Sequence, residues 1–228
     1  MTNKRIFEID FLKATAIILM VIFHIVYDLN EFVGIGLDYT TGFWYWVGKI
    51  SVLLFIFLAG INSGFSKRPI KRGTIVLGFG IVITIVTFVF LRDEYVRFGI
   101  LHFLGVCMIL FPYLKKLNNG ILLIIAIAII VSVNLSNVLA ETSIITFFKD
   151  IFGGVPTIDY YPLFPYISAF IFGILAYKIF YYKRVSILNL YLKNRAIYMV
   201  SKYSLFIYLI HQFIIIGIIF LFKFLLDS

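Results

Sequence analysis

Residues 6–28, IFEIDFLKATAIILMVIFHIVYD, decide the fold class. Glu8, Asp10 and Lys13 sit near the start, and residues 14–27 hold no Asp, Glu, Lys or Arg. A helix rises about 1.5 Å per residue, and a bilayer core takes about 20 mostly apolar residues to cross. The run is long enough to cross. Its apolar residues are contiguous rather than alternating with period two, which argues against a transmembrane β-strand. Lys4 and Arg5 resemble the basic start of a signal peptide. The charges that follow interrupt the apolar run, and no small-residue cleavage site comes after it, so a retained first helix is expected.

Six more runs read the same way: residues 43–65, 73–91, 98–114, 120–136, 162–182 and 203–222. Seven spans take up about 140 residues, so one integral-membrane domain over 1–228 is expected, an all-α polytopic helix bundle. Composition agrees. The chain is 62% hydrophobic and 14% charged, with mean hydropathy +1.05, whereas a soluble domain has roughly 45–50% apolar and about 25% charged residues. An ordinary soluble domain, a disordered chain and a disulfide scaffold are excluded. The single cysteine, Cys107, cannot form an intrachain disulfide or a cysteine metal site.

The net charge of +9 would suggest nucleic acid in a soluble protein. Here the positions of the charges give a topological reading and no nucleic-acid partner. With the N-terminus inside, 15 Lys and Arg fall on inner segments, four (Arg92, Arg97, Lys149, Lys223) fall on outer ones, and Lys49 lies within a span. Basic residues are retained on the cytoplasmic side, so the N-terminus is expected inside and the C-terminus outside, in a multi-pass protein of the plasma membrane. The longest loop, residues 137–161, is expected outside and includes the apolar stretch IITFFKDIF, which suits an interfacial or re-entrant segment.

Ionisable groups within spans are costly and mark function. His24 and Asp28 are four apart and share a helical face. A carboxylate one turn from an imidazole fixes its tautomer and raises its basicity. By the helical rise, His24 lies about 6 Å inside the outer end of its span and Lys49 roughly 9 Å deep. His102 lies about one turn inside the outer end of its own span. His24, Asp28, Lys49 and His102 therefore form a candidate cluster at one depth, if packing brings them together. Taken singly, each has a plainer reading as an interfacial residue that snorkels or bonds a carbonyl.

The inner half holds Glu8, then Asp10 and Lys13 on one face, then Asn62 and Ser63 just before SKRPIKR. Lys67, Arg68, Lys71 and Arg72 serve topology alone, or attract a phosphate-bearing ligand or anionic headgroups. His211 and Gln212 lie roughly 12 Å inside the seventh span, near the midplane, and are expected to face the bundle interior. The last span carries no lysine for a retinal-type Schiff base before Lys223. There is no Walker, zincin or nucleophile-elbow motif, and no metal site is expected from three dispersed histidines.

Four stretches occur together in order: RIFEIDFLKATAIILMVIFHIVYDLN (residues 5–30), FGILHFLGVCMIL (98–110), DYYPLFPYISAFIFGILAY (159–177) and SLFIYLIHQFIII (204–216). Together they resemble the heparan-α-glucosaminide N-acetyltransferase catalytic-domain family and its small prokaryotic relatives, which are transmembrane acyltransferases. The matching positions are Asp10, His24, His102, His211 and Gln212. The lysosomal enzyme has Asn where His24 aligns and an essential His in the following loop; residues 29–42 here contain no His. The resemblance implies acetyl-CoA as donor, held from the cytoplasmic side, and an amine or hydroxyl of an extracytoplasmic sugar or glycan as acceptor.

In such a reaction His24, oriented by Asp28, suits the base, and His102 or Lys49 suits the donor to the thioester oxygen. The CoA moiety would be held by Lys67, Arg68, Lys71 and Arg72 at its phosphates, by Asp10, Lys13, Asn62 and Ser63 at the inner face, and by His211 and Gln212 along the pantetheine arm. The lipid bilayer is the surrounding partner, and aromatic and Gly-rich span surfaces suit a homodimer. Two other function classes fit the same residues: a small proton-coupled transporter with relaying histidines, and a non-catalytic membrane subunit.

Overall fold

The computed structural model describes residues 5–92, 95–138, 159–188 and 194–226. Lys4, Lys149, Lys193 and residues 139–158 of the long loop lie outside them. Every regular element among the described residues is helical: α1 Phe7–Val33, α2 Gly42–Phe65, α3 Pro69–Leu91, α4 Ile100–Lys116, α5 Asn119–Val138, α6 Leu163–Ala176, α7 Arg195–Lys202 and α8 Ser204–Leu226. A π-helical turn, Tyr177–Tyr181, extends α6. One isolated bridge joins Phe98 to Tyr160.

Five helices are long and apolar enough to cross a bilayer: Phe7–Val33, Gly42–Phe65, Pro69–Phe90, Leu163–Tyr181 and Ser204–Leu225. The chain is a multi-pass membrane protein. At 17 residues, α4 is shorter than these, as is the apolar stretch Asn119–Ser132 of α5. Large apolar side chains stand exposed, Phe43 at 71%, Phe90 at 80% and Phe224 at 71%. Lipid, not water, suits such a surface.

Local chemistry sets the helix ends. Pro69 sits in the first turn of α3, where its missing N–H costs nothing. Asn194 caps α7 by accepting from the amides of Ala196 and Ile197. Gly34, at φ 74°, closes α1 in the left-handed conformation, and its N–H donates to Asn30 O at 3.0 Å. This α1 terminus corrects the sequence reading, which ended the first span near Asp28. Asp28 is fully buried, and the helix runs on to Val33. His24 therefore lies roughly 13 Å from the end of its helix, not about 6 Å.

The chain divides into two compact units, Met1–Phe55 with Arg184–Ser228, and Ile56–Lys183. The first holds α1, the opening part of α2, α7 and α8. Ser51 of α2 donates to Ala16 O at 2.9 Å. Gly48 faces the Phe23 ring so closely that a Cβ there would lie 2.7 Å from it. Contacts advance the same way along α1 and α8, from His24 against His211 to Phe32 against Phe220, so the two helices are parallel. Helix α7 packs on the start of α1.

The second unit holds the rest of α2 with α3, α4, α5 and α6. Helices α3 and α4 form an antiparallel pair: Gly73 approaches the Gly105 carbonyl and Ile109, and Gly80 lies against the His102 ring. Gly60 and Gly173 let α2 and α6 touch backbone to backbone. A Cβ on Gly60 would lie 2.9 Å from Gly173 Cα and collide with Phe170 O. In lipid, helix association depends on such close packing by small residues. Lys178, at the end of α6, donates to Leu117 O just before α5, at 2.6 Å.

Candidate functional site

The site is assembled on α1 and α8 within the first unit. His24 and His211 meet edge to face, with ring centroids 4.8 Å apart. One turn further along α1, Gln212 Nε2 donates to both oxygens of Asp28, at 2.8 and 3.0 Å. The spacing of four in α1 and the adjacency of His211 and Gln212 in α8 set these two contacts side by side. His211 is 8% exposed and Asp28 0%.

Proton positions follow from donor and acceptor roles. His211 Nδ1 lies 2.6 Å from Tyr208 O. A carbonyl oxygen only accepts, so Nδ1 carries the proton, and in the neutral ring Nε2 keeps a lone pair. Gln212 turns its NH2 to the carboxylate and leaves Oε1 to accept. Among the described residues, His211 Nε2, Gln212 Oε1 and His24 Nδ1 are closed off from solvent and make no hydrogen bond. His211 Nε2 and Gln212 Oε1 are acceptors, and His24 Nδ1 accepts or donates with its tautomer, so the complement of the two acceptors is a group bearing N–H or O–H. Tyr27 flanks His24 with ring centroids 6.5 Å apart, and Tyr39 packs on Tyr27 at 4.9 Å.

The other residues expected from the sequence fall in several places. Lys49, on α2 next to Gly48, has its ammonium 6.0 Å from the Tyr45 ring centre. His102 belongs to the other unit, where both ring nitrogens are engaged. Nδ1 accepts from Gly99 N at 3.2 Å, and Nε2 lies 3.2 Å from Thr84 Oγ1, whose hydroxyl donates to Val96 O. Asp159 supports the same turn by accepting from Ile100 N.

Asp10 accepts from Ser201 Oγ at 2.5 Å and lies 3.7 Å from Arg5 Nε. Glu8 accepts from Ser186 Oγ and Ile187 N. Lys13 lies on the next turn of α1. Asn62 and Ser63 bond back to Leu58 O and Ala59 O of their own helix. Lys67, Arg68, Lys71 and Arg72 are exposed where α3 begins. Among the described residues no three His, Cys, Asp or Glu side chains converge as metal ligands do.

The sequence marked His24 with Asp28 and His211 with Gln212, but did not show that the two pairs meet. Nothing local signals a contact between helices more than 180 positions apart. Tyr208, which sets the His211 tautomer through its backbone, carries no sequence signal at all.

Fold and site define a class: a multi-pass, all-helical membrane protein with imidazole, carboxyl and amide groups buried between two parallel spans. The family model of the heparan-alpha-glucosaminide N-acetyltransferase catalytic domain matches residues 5–213. The chain belongs to that family, one of transmembrane acetyltransferases. No curated protein and no solved structure matches it.

Proposed function

We propose that the chain moves an acetyl group from cytoplasmic acetyl-CoA to an amine or hydroxyl of an extracytoplasmic sugar or glycan. The observation that carries this reading is the His24–His211 pair beside the Asp28–Gln212 pair. Acyl transfer needs a base for the acceptor proton, and an imidazole is the side chain suited to that task near neutral pH. His211 Nε2 holds a lone pair in a fixed orientation, and His24 lies against it to share or pass the proton. Gln212 holds Asp28 in place one turn away, where the carboxylate stabilises the imidazolium that forms.

Acetyl-CoA supplies the activated thioester carbonyl. Its phosphates suit the exposed cations Lys67, Arg68, Lys71 and Arg72 at the N-terminal end of α3, where the helix dipole adds to their charge. Lys49 is the donor assigned to the developing oxyanion. His102, with both nitrogens engaged, is assigned to ordering the turn before α4. Asp10 is a positioning residue that holds α7 to α1.

Seven crossings with the N-terminus inside and the C-terminus outside are part of the same proposal. Parallel α1 and α8 require an odd number of crossings between them. Helices α2, α3 and α6 provide three, so α4 and α5 cross together or not at all. The antiparallel packing of α4 along α3, and the bond from Lys178 to the start of α5, support their crossing.

Membranes expressing the chain, given isotope-labelled acetyl-CoA, should yield labelled envelope glycans by mass spectrometry. His24→Ala should abolish the label while leaving expression unchanged. Full labelling by that variant would overturn the assignment. A proton-coupled transporter is the second reading, favoured by the contact between two imidazoles beside a buried carboxylate. Sealed vesicles separate the two, since a transporter moves solute unchanged whereas the enzyme releases free CoA.

A further inference from the structure

Helix α7 and the segment at Ser186 and Ile187 are both clamped to the start of α1. Ser201 donates to Asp10, and Ser186 with Ile187 N donates to Glu8, so the two acids of this corner point inward. Beside this clamp, cations lie on aromatic faces. Arg5 lies 4.6 Å from the Tyr198 ring centre. Lys202 Nζ lies 4.8 Å from the Tyr203 ring and 5.9 Å from that of Tyr198. Two cations therefore lie near one exposed ring: Tyr198 is 40% exposed and Tyr203 43%.

The Tyr203 hydroxyl, followed by the fields of Tyr203 and Tyr198, draws the Lys202 ammonium above its usual range, while Arg5 acts against this. Among the described residues, no carboxylate lies within salt-bridge distance of Lys202 or of the exposed Arg195, and Arg5 faces only Asp10. Exposed apolar groups belong to the same corner: Met199 on α7 at 40%, and Val185 at 54%, Ile187 at 48% and Leu188 at 61% in the segment that Glu8 holds.

We propose that Arg5, Tyr198, Lys202 and Tyr203 form a binding site for the phosphate headgroup of an anionic phospholipid, in the leaflet where α1 and α8 begin. Charge complementarity selects the headgroup. The two cations exceed the one carboxylate that faces them, and cations held on rings at a membrane boundary attract anionic lipid. The apolar groups of this corner select lipid over a free phosphate, because a free phosphate has no acyl chains to lay on Val185, Ile187 and Leu188. Tyrosines at the boundary fit the belt that such rings form at headgroup level. The site lies at the head of the two helices that carry the His24 and His211 pair, but the proposal does not depend on acetyl transfer.

The test uses the full chain purified in neutral detergent, with lipid retention read by native mass spectrometry. Phosphatidylglycerol should be retained over phosphatidylcholine. Arg5→Gln with Lys202→Gln should weaken retention about 25-fold, roughly fivefold per cation. The charge-keeping pair Arg5→Lys with Lys202→Arg should retain it, as should Lys116→Gln, which removes a cation elsewhere. If the double Gln variant does not fold, the roughly fivefold loss in Lys202→Gln alone decides. Equal retention of both lipids, unchanged affinity in the Gln variants, or displacement by equimolar inorganic phosphate would each overturn the proposal.

Discussion

Tyr208 O can only accept, so its 2.6 Å contact fixes the proton of His211 on Nδ1 and points a lone pair from Nε2 into the helix interface. A positioned general base, the role proposed for His211, typically contributes about 10²- to 10⁴-fold. His211→Ala is therefore expected to lower acetyl transfer by that factor, measured as CoA release, with little change in melting temperature. On the proposed function, His24→Ala acts on the same step, and if the pair works as a unit the double variant should fall no further than the worse single one.

A second prediction concerns Asp38, outside the spans. Hydrogen bonds from the Thr41 hydroxyl first, then the Thr40 hydroxyl and amide, lower its pKa from 3.8 to about 2. A carboxyl with a depressed folded pKa stabilises the loop above its ordinary value, and that contribution is lost as pH falls toward 2. Thr41→Val should move the Asp38 titration up toward 3.8, read by carbon NMR of the carboxyl. An unmoved midpoint would refute the assignment of its cause.

At the scale of elements, helix identity was legible and helix partnership was not. The apolar runs placed seven helices within a few residues of their observed ends, because contiguous apolar stretches about as long as a bilayer core are read directly from sequence; five of the seven are long and apolar enough to cross. One misreading and one omission have physical causes. Asp28 looked like an interfacial charge that ends a span, but Gln212 on a distant helix satisfies it and α1 continues. Helix α7, which the sequence reading did not identify, has only eight residues and charges at both ends; Asp10 and the Asn194 cap hold it in place.

Glycines separate close-packing positions from neutral ones. Gly60 meets the backbone of α6, which cannot move aside as a flexible side chain would, whereas a Cβ on Gly78 meets nothing within 4 Å. Gly60→Val should destabilise by at least ~1–3 kcal/mol, the usual cost of overpacking. Gly78→Ala should stabilise by up to about 1 kcal/mol through helix propensity. Thermal unfolding in detergent checks both, and equal melting temperatures would show that the α2–α6 contact is not tight.

For the whole molecule, with the five long helices crossing as proposed, the parallel course of α1 and α8 leaves one open choice of topology. If α4 and α5 cross together, Lys115 and Lys116 lie on the same side as Lys71. If neither crosses, everything from Arg92 to the start of α6 lies on the side where α3 ends. Retention of basic residues inside favours the first arrangement. At 17 residues, α4 spans about 25 Å, and a bilayer thins or its flanking lysines snorkel to accept such a mismatch. Single cysteines at Lys116, Lys71 and Asp38 decide it, since the native Cys107 is fully buried and should not react. In intact cells a membrane-impermeant thiol reagent is expected to label Asp38→Cys at once. Lys71→Cys and Lys116→Cys should be labelled only after permeabilisation. Labelling of Lys116→Cys together with Asp38→Cys in intact cells would remove α4 and α5 from the membrane and leave five crossings, still with the N-terminus inside and the C-terminus outside.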